Sequence, residues 1–167
     1  MGYTLTIGEA YLDYDNDESS PYCRVCAKGV THDDAPAFGE PTDHSNSRWP
    51  SYSGWHDFAG YSGLYSLFFG KEHKDGYLVR DDALLVEHPG AVPLAEQHRR
   101  EINAALERWK TLYPHAVPTY GNIDPKKFND TDPDNPEENW KMTRLVWLHY
   151  WVNWALDNCD RPVFANS

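Results

Sequence analysis

Basic residues are few in this chain. Fifteen Lys and Arg stand against 26 Asp and Glu in 167 residues, a formal net charge of −11. Nucleic-acid binding runs on neutralisation of phosphates by Lys and Arg, so nucleic acid is not the expected partner. Anionic membrane surfaces are disfavoured for the same reason. Cysteine is scarce and odd in number, three in all. That argues against a disulfide framework. No apolar run reaches the roughly 20 residues of a membrane-spanning helix. Residues 1–20 lack the basic start and apolar run of a signal peptide, and Asp13, Asp15, Asp17 and Glu18 fall there. The expected compartment is therefore reducing and cytoplasmic. A phosphate-cradling glycine loop, an H-E-x-x-H pair and a dinucleotide fingerprint are all missing. So is a G-x-S-x-G elbow. These absences weigh against the common cofactor enzymes, and no cofactor is expected.

Aromatic residues are abundant, with seven Trp, eleven Tyr and six Phe. Such large rigid side chains favour a folded core, and the length suits one globular domain over residues 1–167. Four of the tryptophans (Trp140, Trp147, Trp151, Trp154) sit at offsets of 0, 7, 11 and 14. At about 100° per residue they share a helical stripe roughly 60° wide. The ordinary reading is a core wall against a second helix and the aromatic residues Trp55, Phe58, Phe68 and Phe69. A large indole is seldom wholly buried, however, and its N–H wants a partner. One or two rings are therefore expected at a pocket rim.

Apolar and threonine residues alternate over 3–10, which predicts a strand with Tyr3, Leu5 and Ile7 on one face. Residues 22–30 predict its hairpin partner across an acidic loop at 13–21. A long Pro- and Gly-bearing segment, 31–53, ends in the aromatic run 49–58. Ser53 is a candidate cap for a helix carrying Trp55, Phe58 and Ala59. A short helical stretch follows through Leu64–Phe69, punctuated by Gly60, Gly63 and Gly70. Residues 77–88 read as a hairpin around Asp81 and Asp82. Residues 93–113 give the cleanest helix, with Pro93 at its first position and Leu94, His98, Ile102, Ala105, Trp109 and Leu112 on the inner face. The tryptophan helix spans 139–158, has a second apolar face, and so belongs in the centre. The expected fold is α+β: a small antiparallel sheet packed against two main amphipathic helices.

Three patterns point to chemistry, and each has a plainer reading. Cys23 and Cys26 form a C-x-x-C, which is half of a zinc site. In a strand their spacing places them on opposite faces, so buried structural cysteine is the default. The runs Asp13-x-Asp15-x-Asp17 and Asp130-x-Asp132-x-Asp134 are calcium-like. They lack the glycine at position six and the glutamate at position twelve of a calcium loop, so a solvated acidic loop is the default. No metal is expected on this reading. His56-Asp57 offers a catalytic pair, but such pairs are defined by geometry rather than adjacency. His98 and His149, on apolar faces, read as satisfied core histidines.

The function expected is that of a non-enzymatic binding protein. Residues 48–61 and the last helix would form an aromatic pocket for a small planar, nucleotide-like ligand or for a partner protein. Trp49, Tyr52, Trp55 and Tyr61 are the candidate stacking residues, with His56 beside them and Arg48 to pair with an anionic group. The alternative is a small hydrolase using His56 and Asp57, or an enzyme with a metal at Cys23 and Cys26. An acidic mimic of nucleic acid is a third reading, opposed by the clustering of the acids in loops.

The stretches WPSYSGWHDF (49–58), LLVEHPGAVPL (84–94) and WALDNCDRPVFANS (154–167) resemble short uncharacterised proteins of bacteriophage and bacterial genomes. The resemblance covers about half of the chain. It implies a small phage-like accessory protein, for which sequestering a host signal or blocking a host enzyme would fit, and it assigns no residue a role.

Overall fold

A computed structural model describes residues 1–14, 24–36, 44–70, 80–118 and 137–167. Among them run β1 (Leu5–Asp13), β2 (Arg24–Ala27), β3 (Ser47–Arg48), α1 (Tyr52–Ser62), α2 (Tyr65–Phe69), β4 (Gly90–Pro93), α3 (Glu96–Leu112), α4 (Glu137–Asn158) and β5 (Pro162–Asn166). The architecture is α+β, as expected. The sheet is antiparallel, in the order β2-β1-β5-β4, with β3 also paired to β1.

Strand β1 is central because its alternation serves two faces. Leu5 and Ile7 are fully buried in the main core. Further along, Ala10 pairs with Ala27 of β2, and both join Val163 and Ala165 in a small separate cluster on the other face. These side chains are short, so the sheet can curl tightly. Strands β2 and β4, at the two ends of the order, come within 8 Å, less than the ~10 Å between ordinary stacked sheets. A trough of about 320 Å³ opens beside them, lined in part by Thr4, Thr6, Val25, Ala91 and Ala165.

Asn46 joins the strands. Its side chain is wholly buried; Nδ2 donates to Ile7 O (2.7 Å) and Lys28 O (2.8 Å), while Oδ1 accepts from Val30 N–H (2.8 Å). Three otherwise stranded backbone groups are satisfied by one amide.

Helices α3 and α4 run antiparallel. Arg99 near the start of α3 meets Asp157 near the end of α4, and Trp109 Nε1 donates to Glu138 O at the opposite end. Trp147 and Trp151 are fully buried, whereas Trp140 and Trp154 are half-buried. The stripe is thus core in the middle and rim at its ends. Trp147 Nε1 donates to Ser45 O (3.1 Å), but the sealed Trp151 and Trp55 N–H groups have no partner among the described residues. His98 is a satisfied core histidine: Nδ1 accepts from Ala95 N–H and Nε2 donates to Asp82 O.

Several elements differ from expectation. Residues 80–89 form no strand. The Leu84 and Leu85 N–H groups instead donate to Leu67 O and Phe68 O, carbonyls that the end of α2 leaves without helical partners. Pro93 closes β4 rather than opening α3, because Leu94 N–H goes to Pro162 O. The cap of α1 is Ser51, whose Oγ accepts from Gly54 N–H (3.1 Å). Leu112 is exposed, since α4 passes only the earlier turns of that helix face. No helix of the described residues is long and apolar enough to cross a membrane.

Candidate functional site

The residues around Tyr3 form the most concentrated group of polar aromatic tips. The first residues are stitched to the start of α1, with Tyr3 N–H donating to Pro50 O (2.9 Å) and Tyr52 N–H to Met1 O (3.4 Å). This sets the Tyr3 ring edge-on to Tyr52, centroids 4.7 Å apart. A spacing of four then places His56 on the same side of α1 as Tyr52. The His56 ring stacks on Phe69 of α2 at 4.0 Å and 15°, and its Nε2 lies 3.4 Å from the Tyr3 hydroxyl. Tyr65 packs against both His56 and Phe69.

The last strand completes the group. Asn166 Nδ2 donates to Glu87 O (3.0 Å) and Gly90 O (3.3 Å), which leaves Oδ1 as the end facing His88. His88 Nδ1 therefore donates to Asn166 Oδ1, at 2.6 Å. Nε2 of the neutral ring then accepts from the Tyr52 hydroxyl, at 3.0 Å. The result is a Tyr52–His88–Asn166 relay with one defined tautomer. Burial, and then the nearby Tyr52 and Tyr65, hold the Tyr3 phenol above its usual pKa, so it stays protonated and able to donate. Three phenols and two imidazoles converge on one rim, able to stack, donate and accept.

Tyr52 and His56 are brought together; the other expected residues are not. Trp55 is 1% exposed and packs on Phe58 and Phe68, because its turn of α1 faces the core. Arg48 is buried, donating to the carbonyls of Ser45, Ser47 and Pro36 and lying over Trp147. These carbonyls occupy its guanidinium, so it does not present itself to an anionic ligand. Tyr61 is exposed and covered on one ring face by Lys141 Nζ at 3.6 Å, on the side where α1 meets α4. Trp49 is exposed just before the α1 cap. Asp57 acts electrostatically on Arg144. No hydrogen bond joins it to His56 among the described residues.

Cys23 lies outside the described residues, as do Asp15, Asp17, Asp130, Asp132 and Asp134. Cys26 is a free thiol with Sγ 4.0 Å from Asp13, and Asp13 pairs with Arg24. Among the described residues no group of three His, Cys, Asp or Glu side chains is placed to hold a metal ion.

Sequence reasoning did not find Tyr3, Tyr65, His88 or Asn166 as site residues. Tyr3 was assigned to a strand face. His88 and Asn166 meet across 78 residues, a distance that no local pattern encodes. No protein-family model, curated protein or solved structure matches the chain.

Proposed function

We propose that the protein is a non-enzymatic binding protein whose Tyr3–Tyr52–His56–Tyr65–His88 rim holds a small planar, nucleotide-like ligand. The observation that carries this reading is the fixed His88 tautomer. A hydrogen-bonding edge held in one orientation by a buried amide is pre-organised, and pre-organisation lowers the cost of ordering on binding. The phenol and imidazole rings supply stacking surface, and their tips supply donors and acceptors for a heterocycle. The phage-like accessory role remains part of this proposal, as does a cytoplasmic location.

The test is calorimetric titration with a panel of nucleobases, nucleosides and nucleotides. A saturable heat with one of them, lost in Tyr52→Phe and His56→Ala while the melting temperature holds, supports the reading. A hit that both variants bind as well as the parent chain would move the site elsewhere.

One observation favours a second reading. The Tyr52–His88–Asn166 relay places a phenol on an imidazole oriented by an amide, an arrangement that activates nucleophiles and general acids. A small hydrolase would use this relay rather than His56 and Asp57, which do not bond to one another. Ester turnover that disappears in His88→Ala would decide for it.

A further inference from the structure

Arg144 of α4 is 6% exposed, and the ionised form of a side chain so placed calls for a counter-charge. Among the described residues no carboxylate is within ion-pair distance of it, and its hydrogen bond runs from Nη1 to Gly54 O, at 2.6 Å. The faces of the guanidinium are covered by rings, Trp140 at 3.5 Å and Trp55 and Phe58 at 5.7 and 5.8 Å. Cation–π contact eases the burial but uses none of the N–H donors. The Nε and Nη2 donors carry no hydrogen bond among the described residues, and they form one edge of the planar fork.

That edge opens over the first turn of α1. A side-chain carbon at Gly54 would stand 3.5 Å from Arg144 Nη2 and 2.7 Å from Ser51 Oγ. Because residue 54 is glycine, no side chain separates the fork from the first turn, where Ser51 Oγ is the nearest polar neighbour. The start of an 11-residue helix also supplies a favourable field for negative charge, and its first turn contains no acidic residue.

We infer that the Nε–Nη2 edge of Arg144, above Gly54 at the start of α1, binds an oxyanion, the carboxylate or phosphate group of a small ligand. The fork geometry matches two anionic oxygens side by side. Burial alone pushes Arg144 down to about 9, with Asp57 opposing, and a bound oxyanion would reverse that depression. Asp57 is exposed and one helical turn away; it attracts Arg144 through space and repels an incoming anion. Gly54 lies about 160° round α1 from Tyr52, so this site is separate from the Tyr–His rim.

The experiment is a titration of the full chain with inorganic phosphate, and in parallel with acetate, at constant ionic strength set by chloride. The readout is the Arg144 Nε–H resonance. We expect a saturable shift with phosphate or acetate and none with chloride. Arg144→Lys keeps the charge and removes the fork, and should bind at least tenfold more weakly by calorimetry. Asp57→Asn alters only an exposed side chain and should bind about three- to tenfold more tightly. No saturable shift with either oxyanion overturns the inference. So does affinity unchanged in Asp57→Asn, a result that stands even if Arg144→Lys fails to fold.

Discussion

His88 donates its Nδ1 proton to Asn166 Oδ1 at 2.6 Å, and the same amide donates to the carbonyls on both sides of His88, at Glu87 and Gly90. Asn166 is 5% exposed, and its three bonds are partly buried, since His88 and Glu87 lie at the surface. Replacing it with Leu keeps the branched shape, adds bulk, and strands the carbonyls and the imidazole N–H. Each stranded group costs on the order of 1–3 kcal/mol. Asn166→Leu should therefore lower the unfolding free energy by roughly 2–4 kcal/mol in urea titration. The His88 ring nitrogens, followed by NMR, should also lose their single-tautomer signature. A variant with parental stability would show that the amide is not what orders this loop.

Asn46 makes a comparable claim on the other side of the sheet. It is 0% exposed and serves Ile7 O, Lys28 O and Val30 N–H. Asn46→Ala removes the only side chain that bonds to all three, leaving a polar cavity. The expected loss is about 3 kcal/mol, larger than the ~1 kcal/mol of a typical substitution. Thermal unfolding followed by far-UV circular dichroism checks it, and a loss below about 1 kcal/mol would mean that water replaces the amide.

These two asparagines show where the sequence is legible and where it is not. The alternation of Leu5 and Ile7 and the helical spacing of Ile102, Ala105 and Trp109 are local signals of burial, and they place β1 and α3 correctly. The C-terminal strand is five residues long and carries only three apolar positions in a row, too few for a period to be counted. Its identity as a strand comes from pairing with β1, at the other end of the chain. The same holds for the site. Tyr52 and His56 both stand among the candidates of 48–61, but a helix capped at Ser53 leaves Tyr52 outside it, so the face they share on α1 is not legible. Their partners Tyr3, His88 and Asn166 arrive through β1, the loop before β4, and β5. Arg48 and Trp55 read as rim residues because their segment is aromatic throughout, and the pattern does not say which side chains face inward.

Two tryptophans of the central stripe offer a matched comparison. Trp147 and Trp151 are both wholly buried, but only Trp147 has a partner for its indole N–H. Trp147→Phe removes one of two donors to Ser45 O, which keeps Arg48 Nη1 at 3.3 Å, whereas Trp151→Phe removes a donor that is already without a partner among the described residues. The volume lost is the same in each. Trp147→Phe should cost about 0.5–1.5 kcal/mol more than Trp151→Phe, the net worth of one hydrogen bond. Chemical denaturation of the two variants side by side measures the difference. Equal costs would mean that the Trp151 N–H has an aromatic-face acceptor worth as much as a carbonyl.

His149 supplies a pH dependence with a defined sign. It is half-buried on α4, and burial, then Lys110, lowers its pKa below the usual 6.5, with Glu107 opposing. The unfolded chain therefore takes up a proton at a higher pH than the folded one. Stability from this group is complete above about pH 6.5 and is lost as pH falls through that value, until the folded pKa is also passed. His149→Gln removes the titration and leaves a polar side chain of similar size. As pH falls below about 6.5 and towards the folded pKa, the melting temperature of the parent chain should fall more steeply than that of the variant. Parallel curves over that window would place His149 in water when folded, because only a desolvated or positively crowded imidazole resists protonation there.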